Sequence, residues 1–280
     1  MGSSSGSIRR LSLQARKIII LLISLNPLSM GIMRIVSLVP SWTETLISWG
    51  APVVGRTRFC IHPKEAVATI PPFGGTKNPH FAKINALQPD LVIVDREENN
   101  QDVQDKIYCP LHVTHVRGLG DMVAENQKLA QCFSEKVRAT GLEQAQQWRH
   151  VLEKNPSRPL DQIPGVIQWW RRPQSNVRKI YYVIWKNPWM GIAPQTFIGS
   201  VFDQLGYGDL LPQFKEPYPT LELKDLRGSE SLLLFSSEPF PFLKHREELL
   251  ETFPNPMAFV DGESFSWFGV RSLRFLQNVL

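Results

Sequence analysis

Between Met122 and Lys154 the chain carries no proline and a single glycine, Gly141, while proline-punctuated, strand-like sequence lies on both sides. A stretch lacking both helix breakers predicts a long helix. Its apolar positions recur at Leu129, Cys132/Phe133, Val137, Leu142, Trp148 and Val151/Leu152, with Gly141 as the one weak point. Pro156, Pro159 and Pro164 close it. A helix in the middle of a 280-residue chain leaves room for a domain of about 100 residues on each side.

Before the helix, four short apolar runs at 34–39, 51–55, 91–95 and 111–116 are bounded by turn residues and separated by helix-like segments, which is a βαβ rhythm. Ser41-Trp42-Thr43-Glu44 reads as a capping box opening a helix over 42–49, with Gly50 at its C′ position. Asn78-Pro79 gives a second helix start, closed by Pro89-Asp90 ahead of the strand Leu91–Asp95. After the helix the rhythm resumes. Strands are expected at Lys179–Trp185, Ser231–Phe235 and Met257–Val260, and helices at Thr196–Leu205, Phe242–Phe253 and beyond Ser266. Trp169-Trp170-Arg171-Arg172-Pro173 reads as a loop or hairpin insertion. The expected architecture is α/β: two Rossmann-like lobes, 33–121 and 158–280, joined by a single long helix within 122–157.

Residues 1–32 stand apart. Arg9, Arg10, Arg16 and Lys17 precede an apolar run, Ile18–Leu25, that is too short to span a bilayer and matches a secretory signal with Ser29-Met30-Gly31 as the cleavage region. The other reading is that translation begins at Met30 or Met33, which makes the protein cytoplasmic rather than periplasmic.

Several function classes are excluded by what the chain lacks. The formal charge of +5 is spread thinly, without a run of five basic residues, so no nucleic-acid footprint is present. Cys60, Cys109 and Cys132 are odd in number and lack CxxC spacing, which argues against a disulfide framework or a zinc site. The sequence holds no GxGxxG after a strand, no GxxxxGK[ST], no GxSxG and no HExxH. His112 and His115 fall on a predicted strand, where a spacing of three sends them to opposite faces. A Cys60–His62 nucleophile pair is conceivable, but nothing in the sequence nominates a third group to orient it. No catalytic residue and no metal site are therefore assigned.

The loops that follow the strands are more informative, because open α/β sheets bind ligands outside the carboxyl ends of their strands. Those ends carry Ser41 and Trp42, then Phe59, then Glu98 and Asn99. In the second half they carry Trp185, Asn187 and Trp189, then Ser237, and finally Phe265 and Trp267. Rigid aromatic faces with a few polar groups suit a cleft for a flat or bulky organic ligand. The competing reading places the tryptophans in the lobe cores.

The segments Arg34–Leu46, Val54–Cys60, Gly74–Pro79 and Leu87–Val94 resemble the first lobe of the cobalamin and iron-siderophore periplasmic binding proteins, the cobalamin type above all. The likeness continues through Ile184–Met190, Thr196–Ser200, Tyr218-Pro219, Ser236–Pro239 and Asp261–Trp267. It implies a non-catalytic monomer that captures cobalamin or a related corrinoid or metal chelate between its lobes and docks on an ABC importer permease. Trp185, Trp189 and Trp267 are then expected to wall the ligand, Phe59 to face them, and Glu98, Asn99 and Asn187 to supply polar contacts. The docking glutamates of that family are not matched: their positions fall near Phe81-Ala82-Lys83 and Leu223-Lys224, with only Glu222 or Asp225 as a substitute. The alternative that the resemblance leaves open is an intracellular carrier or enzyme that keeps the clamp without the importer.

Overall fold

A computed structural model describes residues 33–173 and 176–280; the signal-like segment lies outside them. The first half runs β1 (Ile35–Ser37), α1 (Pro40–Ser48), β2 (Val53–Arg56), α2 (Lys64–Ala68), α3 (Phe81–Ala86), β3 (Leu91–Asp95), α4 (Val103–Lys106) and β4 (Leu111–Thr114). Its strands pair in parallel in the order β2-β1-β3-β4. β3 lies inside the sheet and all five of its residues are buried, as an apolar run flanked on both faces requires. Alternation divides the cores: Leu91 and Ile93 join the central cluster, whereas Val92 and Val94 pack on the opposite face with Val36 and Ile84.

Two helices, α5 (Met122–Ala130) and α6 (Glu135–Leu152), carry the chain across. The second half follows with β5 (Val166–Arg171), β6 (Lys179–Trp185), β7 (Met190–Gly191), α7 (Phe197–Gln204), α8 (Leu223–Leu226), β8 (Ser231–Ser236), α9 (Arg246–Thr252), β9 (Met257–Val260), α10 (Gly262–Ser266) and α11 (Val270–Val279). Its sheet has the order β5-β9-β8-β6-β7, parallel at the centre and antiparallel at both edges. Neither sheet borrows a strand from the other half. Leu232 and Leu234 of β8 face the central cluster, while Leu233 and Phe235 face an outer one built from Trp170, Phe242, Phe253 and Phe259.

Four local expectations change. α1 starts at Pro40, with Val39 as its N-cap, so Ser41 is inside the first turn and makes no capping bond. Proline at the helix start explains this, since its fixed φ and missing N–H suit the first turn. Gly50 does sit at C′ with φ +76°, and the Gly50 and Ala51 amides close on Ile47 and Leu46. α3 begins at Phe81, because Asn78 and Pro79 are spent in a turn in which the Gly75 amide donates to the Asn78 carbonyl and Gly74 bridges Pro79.

The helical crossing breaks at residues 131–134, not at Gly141. Phe133 is buried edge-on against Trp49, 6.3 Å between rings, and the chain re-enters a helix through Ser134 in extended conformation. Gly141 lies inside α6 at the contact with α5, where an added Cβ would come 2.8 Å from that of Ala130 and 3.0 Å from the Trp49 ring. Finally, Trp169–Arg171 form no insertion but belong to edge strand β5, with Trp170 stacked 5.8 Å from Phe259 at 6°.

Candidate functional site

The strand order of the first sheet reverses between β1 and β3, so the crevice outside their carboxyl ends is the natural ligand position. The loops after β8 and β9 and the segment around Tyr218 come over it from the second half. The two sides touch. His62, in the loop after β2, places Nε2 3.0 Å from a Glu263 carboxylate oxygen, and its ring stands edge-on to Trp267 at 5.3 Å. The Leu119 amide donates to Ser200 Oγ at 2.9 Å. Arg271 on α11 donates from Nε and Nη2 to both oxygens of Glu44 on α1, at 2.9 and 3.0 Å, and its Nη1 reaches Glu263 at 2.9 Å.

Carboxylates gather where the halves meet. Glu98 stands among Asp95, Glu97 and, from the other half, Glu238; burial first and these neighbours next push its carboxyl above the usual range, with Lys77 opposing. Glu238 is also pushed up by burial, although its Oε1 accepts bonds from Ser266 Oγ and Trp267 Nε1, both at 2.8 Å. Tyr218 reports the same proximity: enclosure raises its phenol, and Glu97 and Glu98 raise it further. A carboxyl held above its ordinary range by burial and like charge is stabilised by donors or positive charge placed against it.

The expected site residues divide into three groups. Glu98 and Trp267 are at the junction of the halves, and Phe59, 47% exposed with the Arg58 guanidinium 4.8 Å from its ring, lies on the first-half loop that carries His62. Ser237 is beside it, with its Oγ accepting the Gly262 amide at 2.9 Å. Trp185, 40% exposed, stands at the end of β6 against Phe240, and Asn187 takes φ +64° in the turn beyond it.

The third group is structural. Trp42 and Phe265 are fully buried; Trp42 donates to Thr114 Oγ1 at 2.8 Å and packs on Phe268, and Phe265 stacks on Phe202. Ser41 is buried within α1. Asn99 spends its amide inside the first half, accepting from the Asp95 amide and donating to the Leu38 and Thr76 carbonyls. Trp189 turns away from the junction, lying parallel to Phe242 and edge-on to Phe253 in the outer core. Four of these are taken up within the protein because their polar atoms or ring faces are already occupied, whereas Ser41 is buried with no hydrogen bond to its hydroxyl among the described residues.

Sequence reasoning missed Tyr218, Glu238, Glu263 and Arg271. The two glutamates lie in strand-end loops whose composition pointed there. Arg271 gave no signal, since its partner Glu44 is 227 residues away. Cys60 is no nucleophile: it is fully buried, receives the Thr43 hydroxyl at 3.1 Å, and burial pushes its thiol up. His112 meets Cys132 with its pKa lowered to about 4 by burial, whereas His115 meets Glu97. Among the described residues no three His, Cys, Asp or Glu side chains are placed to share a metal, and no helix is long and apolar enough to cross a membrane.

Residues 35–114, the first sheet and its helices, match the family described as periplasmic binding protein. Solved structures extend the likeness over both halves. The vitamin B12 binding protein BtuF of Vibrio cholerae superposes with a TM-score of 0.65 at 14% identity, over 88% of this chain and 94% of its own. The fold is that of the periplasmic binding proteins. The heme-binding protein RhuT from Roseiflexus sp. RS-1, without ligand, gives a TM-score of 0.70 at 18% identity, over 89% and 97% of the two chains. An ABC transporter substrate-binding protein from Listeria monocytogenes gives 0.62 at 14%, over 89% and 97%. No curated protein sequence gives a match. The two halves of the chain thus correspond to the two lobes of the helix-linked class of that fold.

Proposed function

We propose that the chain is a non-catalytic binding protein that captures a corrinoid of the cobalamin type between its lobes for delivery to an ABC-type importer. The observation that carries this reading is the pairing of aromatic rings with carboxylates where the lobes meet: Trp267 bonded to Glu238 and Tyr218 beside Glu97 and Glu98, with the exposed rings of Phe59 in the loop after β2 and Trp185 at the end of β6. Rings of this kind suit a flat macrocycle. The carboxylates favour one of the two ligands bound by proteins of similar fold. A heme presents propionate groups, which this acidic cleft repels, while the edge of a corrin presents neutral amides whose N–H groups donate to carboxylates.

The importer is proposed from the likeness to transporter-associated binding proteins, with export to the periplasm as its corollary. α3 offers Lys83 in place of an acid, and on the second lobe Glu222 stands at the N-cap of α8 with Asp225 inside the helix. Titration of the purified protein with cyanocobalamin and, separately, with hemin tests the ligand. Saturable binding of cyanocobalamin with weaker or absent binding of hemin is expected, and the reverse order overturns the corrinoid assignment.

A further inference from the structure

We propose that Arg271 is the positioning residue of the cleft, clasping the lobes and fixing the Trp267 wall in one arrangement. Its guanidinium is shared three ways. The fork formed with Glu44 is bidentate, and Glu44, only 5% exposed on α1, has Arg271 as its one side-chain partner among the described residues. The remaining nitrogen holds Glu263 on the opposite lobe, which His62 holds from the other side. The guanidinium also lies 5.4 Å from the centre of the Trp267 ring, within the range of cation–π attraction. Trp267 is tethered at its other end by Nε1 to Glu238, itself one of the raised cleft carboxyls.

Glu44, Arg271, Glu263 and His62 therefore form one chain of polar contacts running from lobe to lobe, two ion pairs through Arg271 and a hydrogen bond between His62 and Glu263, and the tryptophan lies along it. The helix carrying Arg271 is docked where this requires. Gly269 has φ +86° and no room for a Cβ beside Thr45 Oγ1, and the Val270 amide donates to that same hydroxyl at 3.0 Å. If the lobes part, the Glu44 carboxylate loses its fork and Trp267 loses the His62 ring together. In the clasped state the ring is held by Glu238, Arg271 and His62 at once, so a bound ligand need not order it.

The consequence for ligand capture rests on the corrinoid reading, but the positioning does not. The test uses the full chain labelled with 5-fluorotryptophan, with Trp267→Phe identifying the Trp267 resonance. Arg271→Met strands a buried carboxylate and risks misfolding, so it is paired with Glu44→Gln in a double variant that buries no unpaired charge. In the ligand-free double variant the Trp267 signal is expected to move or broaden while that of Trp170, on the outer face, stays in place. Cyanocobalamin affinity is expected to fall about tenfold or more, mainly through faster release. An unchanged Trp267 signal overturns the proposal. A shifted signal in a protein whose wild type binds no cyanocobalamin supports the positioning role and sinks only the ligand assignment.

Discussion

Glu98 is the residue whose chemistry is most exposed to test. It accepts no recorded hydrogen bond and is held above the ordinary carboxylate range by burial, Asp95 and Glu238. A carboxyl raised on folding binds its proton more tightly in the folded chain, so its favourable contribution is complete below the unfolded value and is lost as pH rises through the folded one. Glu98→Gln is therefore expected to stabilise the ligand-free protein at pH 7.5. That gain should shrink as pH is lowered through the carboxylate range. Denaturant melts of both proteins across that range check it, and a gain that grows toward acid refutes the reading. The tryptophans of the β6–β7 turn make an internal control. Trp189 packs on Phe242 and Phe253, so Trp189→Ala should cost about 3 kcal/mol of stability, as large-to-small changes in cores do. Trp185, 40% exposed, should lose little stability when replaced by alanine but weaken corrinoid binding, by roughly 1 kcal/mol. Equal stability losses in the two variants would place both rings in the core.

At the scale of elements, the α5–α6 contact turns a propensity argument around. Alanine is a better helix former than glycine by about 1 kcal/mol, yet Gly141→Ala should destabilise the protein, because the new methyl meets Ala130 and Trp49 inside van der Waals distance. A thermal melt showing an unchanged or higher midpoint would mean that the two helices separate easily. Thr196→Ala should cost about 1 kcal/mol, since the Thr196 hydroxyl accepts the Gly199 amide at 3.0 Å and caps α7. Such elements were legible in the sequence where the signal is local. β3 and β9 were read residue for residue, being short apolar runs closed by turn residues. The break at 131–134 was hidden because Cys132 and Phe133 continue the apolar period while Phe133 packs on Trp49, and that contact is tertiary. β5 was hidden because its tryptophans and arginines read as an exposed loop; Arg171 earns its place by donating to the Phe253 and Asn255 carbonyls of the chain beside it. In the candidate site, strand-end composition located Phe59, Glu98 and Trp267. It did not show which way Trp189 turns, because neighbouring loop residues share a strand end without sharing a face.

For the whole molecule, the question is whether two lobes with separate sheets behave as separate domains. The central apolar cluster argues that they do not. It runs without interruption from Ile35 and Ile93 of the first sheet through Trp42, Leu129 and Trp148 to Leu234 and Val260 of the second. α11 closes it: Leu273 and Leu276 are buried in that cluster, Val270 is buried at the start of the helix, and the helix packs on α1 and on α6 as well as on its own lobe. Each buried aliphatic side chain contributes roughly 1.5 to 3 kcal/mol, so the three together approach the 5 to 15 kcal/mol that holds a typical domain folded. Calorimetry of the full chain is accordingly expected to show one transition with a calorimetric-to-van't Hoff ratio of about 1. A chain ending at Gly269 should lose cooperative melting in both lobes together, read by circular dichroism alongside the Trp42 environment in the first lobe. Should that shortened chain instead keep a first lobe that melts as before, α11 belongs to the second lobe alone. The clasp through Arg271 would then be a surface contact between two independent units rather than the edge of a shared core.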